Sequence, residues 1–302
     1  MNKNPFTNTA FVSVSALFCC ALWGISTPVI KIGYRFVDTR SIPSLLLWAG
    51  LQFAIAGTLT VTVLSIVLGR FVLPQRKSLA GIAKIALFQT VLQYTFSYIG
   101  LLHTTAVKGT ILKGSDAFIS MLVASLLFKQ EKLTPKKILA CMIGFSGIVI
   151  VNLQGLDLNI NPLGDGLVLL SIFVYSISAA ITKQYAAYES PIVLSGYQMI
   201  IGGIAMILVG ATLNGSFNFT GSLPIILCLS AIYALSYALW GILLKNNPVS
   251  KISMYSFMTP VFGVIFSCIM IQEESNISPV NLVIALLLIC TGIILWNCKH
   301  IR

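Results

Sequence analysis

The chain has 302 residues, of which 57% are hydrophobic and only 9% charged, and its formal net charge is +11. A water-facing surface is normally built from roughly a quarter charged residues, so a soluble globular protein is excluded and lipid must cover much of the molecule. The positive charge does not mark a nucleic-acid binder, because lysine and arginine fall in short gaps between apolar runs instead of lining one face.

A membrane helix needs about 20 mainly apolar residues. The first such run, 10–32, follows Lys3; it is too long for a signal-peptide core and no small-residue cleavage site ends it, so it reads as a membrane helix. Further runs follow at 44–68, 79–101, 109–128, 136–153, 164–187, 191–212, 222–244, 252–271 and 279–297. Pro43, Pro74, Pro135, Pro162, Pro191, Pro248 and Pro279 punctuate the gaps, where a missing N–H costs least. The expected fold is an all-α integral membrane protein of ten transmembrane helices. The seven cysteines lie in or beside apolar runs without CxxC spacing, which predicts packing residues and no disulfide framework, metal or cofactor.

Positive charge sets orientation. With the N-terminus in the cytoplasm, fourteen of the nineteen lysines and arginines fall on the inner side; Lys31, Arg35, Arg40, Lys108 and Lys113 fall on the outer side. Cytoplasmic loops are the richer ones, so both termini are expected inside, in an inner or plasma membrane.

The two halves, 1–155 and 156–302, resemble each other weakly, with chance similarity between apolar helices as the other reading. The stretch from Trp23 to Lys31 aligns with that from Tyr175 to Lys183, and the fourth run aligns with the ninth, Lys108 matching Lys251 and Glu131 matching Glu274. Five helices per half is an odd number, so the second half must be inserted upside down. Inverted five-helix repeats with a site between them near the membrane midplane are a carrier architecture.

The stretch Leu22-Trp23-Gly24-Ile25-Ser26-Thr27-Pro28 and the segment from Tyr98-Ile99-Gly100-Leu101 through Lys129-Gln130-Glu131-Lys132-Leu133-Thr134 to Gly144-Phe145-Ser146-Gly147 carry a resemblance across the whole chain. Pro260-Val261-Phe262-Gly263, a glutamate at 273 or 274, and Gly292-Ile293 carry it in the second half. On these residues the chain resembles the EamA-like members of the drug/metabolite transporter superfamily. The resemblance implies two inverted repeats, a central cavity, alternating access and a structural or gating glutamate in each half, here Glu131 and Glu274. Glu273-Glu274 and about two extra residues before Pro279 depart from the pattern and leave the second glutamate open.

Lys113 and Asp116 are the clearest charges inside an apolar run. A mid-bilayer charge costs about 2.5–3.5 kcal/mol on insertion scales and marks a functional site by default. At i,i+3 spacing on a helix the two can touch. Asp116 can take a proton or a substrate amine and Lys113 a carboxylate; alternatively they form an ion pair that only avoids an unpaired charge. Trp23, Ser26, Gln93, Tyr94, Ser97, Tyr175, Ser178, Tyr237, Trp240, Tyr255 and Pro260 complete the candidate cavity, with interhelical packing as the other reading of each aromatic. Gln89, Gln198 and Tyr233 belong to the same group of polar residues inside apolar runs. No HExxH, GxSxG or phosphate-loop motif occurs, so no enzyme is expected. The expected function is secondary transport of small metabolites, amino acids or related compounds, by alternating access and toward export. Proton-coupled carriage of cationic drugs, or of nucleosides or sugars, and an intramembrane enzyme are the alternatives. The expected partners are the solute and the lipid bilayer, with a homodimer left open.

Overall fold

The computed structural model describes residues 5–104, 109, 112–151, 161–271 and 279–297. The described residues are helical almost throughout, with no sheet and one isolated bridge between Val37 and Phe217. The helices are α1 (Thr9–Gly33), α2 (Ile42–Leu68), α3 (79–102), α4 (116–127), α5 (Pro135–Val151), α6 (Pro162–Tyr185), α7 (Pro191–Thr212), α8 (Phe219–Asn246), α9 (249–271) and α10 (Pro279–Asn297). Among the described residues seven stretches are long and apolar enough to cross a membrane: Thr9–Phe36, Ile42–Leu68, Arg76–Gly100, Pro162–Tyr185, Pro191–Thr212, Phe219–Asn246 and Val249–Met270. This is a multi-pass membrane protein. Ile66 and Val67 are each 74% exposed and Ile269 71%, a surface that water would not tolerate but acyl chains cover.

Local chemistry explains the helix ends. Asn8 accepts from the N–H groups of Ala10 (2.9 Å) and Phe11 (3.4 Å), and Asn161 accepts from Leu163 (3.1 Å) and Gly164 (3.0 Å). Such side chains satisfy donors that have no partner inside the helix. Pro43, Pro162 and Pro191 occupy first-turn positions, and Gly69, at φ +63°, closes α2 in the left-handed region. Asn218, part of an Asn-Phe-Thr triplet, caps α8 by accepting from Gly221 at 3.0 Å.

Small residues decide which helices meet. A Cβ on Gly57 would lie 2.5 Å from the Gly196 carbonyl oxygen, and one on Gly50 would lie 2.8 Å from that of Gly203. The backbones of α2 and α7 therefore touch, and they run antiparallel, since Gly57 meets Gly196 while Gly50 meets Gly203. α5 and α10 repeat the arrangement: Gly147 approaches the Ala285 carbonyl (2.8 Å) and Gly292 that of Ala140 (2.7 Å). Close backbone approach through glycine is how membrane helices associate where lipid removes the hydrophobic drive. α1 lies against α8 and α9, α6 against α3 and α4, α8 against α2, and α7 against α3.

Several helices are irregular along their length. α3 widens into a π-type segment at Ala86–Leu92, and α4 does so at Val123–Leu127. α9 tightens into a 3-10 turn at Met254–Phe257. Residues 112–114 are helical, Ser115 is a turn, and α4 starts afresh at Asp116. Such breaks free backbone groups and recur where a helix lines a site.

Candidate functional site

The break at Ser115 overturns the contact expected between Lys113 and Asp116. That expectation needs unbroken helix between them. Ser115 instead turns its N–H (2.9 Å) and hydroxyl (2.7 Å) back to the Leu112 carbonyl. Among the described residues no ion pair joins Lys113 to Asp116. Lys113 is exposed, whereas Asp116 is 9% exposed.

Asp116 is held by hydroxyls. Ser120 donates to its Oδ1 at 2.8 Å and Ser256 of the α9 3-10 turn to its Oδ2 at 3.0 Å. Ser176 of α6 lies 2.9 Å from Ser120. α4, α6 and α9 thus converge on one carboxylate. Hydrogen bonds between membrane helices average about 0.6 kcal/mol. Two of them do not offset the roughly 2.5–3.5 kcal/mol cost of a buried charge.

Beside this site lies a small cavity of about 10 Å³, lined by Gln89 of α3; Tyr175, Ala179 and Thr182 of α6; Ser195 of α7; and Tyr237, Trp240, Gly241 and Leu244 of α8. That is room for about one water molecule. An aromatic layer covers it. Trp23 of α1 packs edge-on against Trp240, with ring centroids 4.8 Å apart, and lies 5.7 Å from Tyr237. The Tyr237 and Tyr94 hydroxyls are 2.9 Å apart, and Phe53 of α2 packs on Tyr94 and Tyr233. Among the described residues the indole nitrogen of Trp23, a donor, and Oε1 of Gln93, an acceptor, are buried without a hydrogen-bond partner. A buried polar group left unpaired costs about 1–3 kcal/mol, so the Trp23 N–H is poised for an acceptor from elsewhere and the Gln93 oxygen for a donor.

The remaining candidates are placed as follows. Ser26 and Ser178 turn their hydroxyls to the carbonyls of Trp23 and Tyr175, 2.6 Å away in both cases. Ser97 is buried and Pro260 half-buried. The Tyr255 hydroxyl pairs with Ser13 (2.6 Å) and Asn297 (3.1 Å), tying α9 to the ends of α1 and α10. Glu273 and Glu274 lie outside the described residues, as does Lys108. Glu131 accepts from the Ser250 N–H at 2.9 Å and from its hydroxyl, and pairs with Lys137 at 2.5 Å. A carboxylate at the first turn of α9 suits the positive end of that helix. Nearby, Lys183 donates to the carbonyls of Leu244 (2.9 Å) and Asn247 at the end of α8, and Gln130 donates to that of Ala180 (2.8 Å). These bonds form a polar latch across one end of the molecule, next to the cavity residues Thr182 and Leu244.

Ser120, Ser176, Ser195, Ser256 and Phe53 are site residues that the sequence reading did not single out. Ser120 stands four residues after Asp116, a spacing that brings the two onto one helical face; the rest are joined only by tertiary packing.

The sequence profile of the EamA-like transporter family matches the chain twice, at residues 11–153 and 162–298. A protein of Archaeoglobus fulgidus named an uncharacterized transporter is 25% identical over 85% of this chain and 89% of its own length. The uncharacterized transporter YvbV of Bacillus subtilis is 25% identical over 99% of this chain and 94% of its own. A chloroplastic WAT1-related protein of Arabidopsis thaliana shares 25% identity over 64% of this chain and 49% of its own length. One solved crystal structure superimposes with a TM-score of 0.73 over 94% of this chain and 96% of the other at 16% identity, a likeness of fold.

Proposed function

The chain belongs to the EamA-like transporter family, and from that premise we propose that it is a secondary transporter that moves amino acids or related small metabolites outward across the inner or plasma membrane by alternating access. The observation that carries this reading is the cavity between the halves. Gln89 and Tyr94 come from the first half, and Tyr175, Ser195, Tyr237 and Trp240 from the second. The unpaired Trp23 indole donor suits a carboxylate, and aromatic faces suit an ammonium or an apolar side chain.

The packing supports ten membrane helices as two inverted repeats. Exchanging each helix of one half with its counterpart, α1 with α6 through α5 with α10, turns the α1–α9 contact into α6–α4, α1–α8 into α6–α3 and α2–α8 into α7–α3. The counterparts α2 and α7 cross antiparallel through glycines, as do α5 and α10. The family profile also matches once per half. Trp23 and Tyr175, equivalent by the repeat, both stand at the cavity. The positive-inside rule assigns the latch end, with Arg76, Lys77 and Lys183, to the cytoplasm. In this reading the latch is the inner gate.

Counterflow in proteoliposomes tests the reading. Vesicles preloaded with a mixed amino-acid pool should accumulate labelled amino acids in a protein-dependent way without any pH gradient. No accumulation by correctly folded protein overturns the amino-acid assignment and turns the search to cationic drugs, nucleosides or sugars.

A further inference from the structure

Asp116 is a buried carboxylate with no basic partner among the described residues, and its surroundings are unusual in one respect. Each hydroxyl that serves it has a second acceptor within reach. Ser256 lies 3.0 Å from Asp116 Oδ2 and 2.6 Å from the Ser253 carbonyl. Ser120 lies 2.8 Å from Oδ1 and 2.9 Å from Ser176, whose hydroxyl has the Ile172 carbonyl at 2.8 Å. With Asp116 ionised, the Ser120 and Ser256 protons point at the carboxylate. With Asp116 neutral, they turn to Ser176 and the Ser253 carbonyl, and the carboxyl O–H donates to a serine oxygen. The same heavy-atom arrangement satisfies both states, because a hydroxyl is donor and acceptor at once and rotates freely.

We propose that Asp116, Ser120, Ser176 and Ser256 form a proton-binding site that couples the transport cycle to the proton gradient; this rests on the transporter reading above. A proton delivered by water adds to one carboxylate oxygen, and the same bond gives it back to water when the site faces the other side. No electrons move and no other bond breaks. The carboxylate belongs to the first half, and Ser176 and Ser256 belong to the second. A closed junction of α4, α6 and α9 therefore favours the neutral acid, and an ionised Asp116 favours a junction open to water. The neighbouring residue Tyr175 lines the cavity, which places the proton and the solute on the same stretch of α6.

Among the described residues, the charged and titratable groups around Asp116 supply no competing cation. Tyr175 on α6, Cys20 on α1 and Cys141 on α5 are the ionisable neighbours that interact with it. On α9, Lys251 is bonded to Asn247, and the Tyr255 hydroxyl to Ser13 and Asn297. Lys113, on its own segment, is exposed and forms no ion pair with it.

Infrared difference spectroscopy of the full chain in liposomes, stepped in pH at constant sodium, reads the site directly. The expected result is a protonated-carboxyl band that appears and disappears with pH, is absent from Asp116→Asn, and changes frequency in Ser256→Ala, which keeps the carboxylate and removes one donor. No titrating band from correctly folded wild-type protein, or a band unchanged in Asp116→Asn, overturns the proposal. A carboxylate response to sodium at fixed pH overturns it in favour of a metal-cation site. Counterflow fails or succeeds independently: a titrating band without amino-acid counterflow removes the solute assignment alone, and counterflow without the band removes the proton site alone.

Discussion

Tyr237 stands at the centre of the candidate site: it lines the cavity, packs on Trp23 and meets the Tyr94 hydroxyl at 2.9 Å. Tyr237→Phe removes one oxygen and leaves the ring. Hydrogen bonds between membrane helices average about 0.6 kcal/mol, so thermal unfolding in detergent should reveal a loss of less than about 1 kcal/mol. Counterflow should fall about tenfold or more, as expected when a solute loses a buried polar contact of about 1.4 kcal/mol or more. An unchanged rate would remove Tyr237 from the solute's path. At this scale the sequence was informative about residue type and silent about partners. A charge in an apolar run identifies Asp116 without any structure, because its cost there demands an explanation. Its pairing with Lys113 was legible only on the assumption of continuous helix, which the turn at Ser115 breaks. Serines at 176 and 256 are ordinary membrane-helix residues until the fold brings them to the same carboxylate.

Helix positions follow from length and punctuation, and α2 and α7 show why helix neighbours do not. Both are mainly apolar, and their few polar residues do not gather on one face that would reveal the buried side: on α2, Gln52 and Thr60 are buried while Thr58 and Thr62 are exposed. What distinguishes the contact is glycine at seven-residue spacing, Gly50 and Gly57 against Gly196, Gly203 and Gly210. Identical substitutions should therefore have opposite effects at different sites. Gly57→Ala puts a methyl 2.5 Å from a carbonyl oxygen and 2.6 Å from the Ile200 nitrogen, backbone atoms that cannot rotate away. Overpacking of this kind costs roughly 1–3 kcal/mol. Gly166→Ala on α6 meets nothing within 4 Å and gains up to about 1 kcal/mol of helix propensity. Thermal unfolding of both variants in one detergent checks this. If Gly57→Ala were as stable as Gly166→Ala, the α2–α7 crossing would be wider than these contacts require.

For the molecule as a whole, alternating access requires that the latch end open and close. In this conformation Glu131, which follows α4, holds Ser250 at the start of α9, and Lys183 of α6 holds the last carbonyls of α8. These bonds join polar groups at helix ends, where water can replace them, so opening costs far less than parting the glycine crossings of α2 with α7 and α5 with α10. The first pairing also links the two halves. A disulfide across it should therefore freeze the carrier. In the double variant Glu131→Cys with Ser250→Cys, the reduced protein loses a carboxylate cap contributing about 0.3–1 kcal/mol and should keep measurable counterflow. Oxidation should abolish counterflow, which requires both facing states, and reductant should restore it. Glu131→Cys alone, treated in the same way, should be insensitive to oxidant. If the cross-linked double variant still exchanged solute at the reduced protein's rate, this end would be a static seal, and the moving gate would have to be sought at the opposite end, where Asp165 binds Thr104 at 2.6 Å.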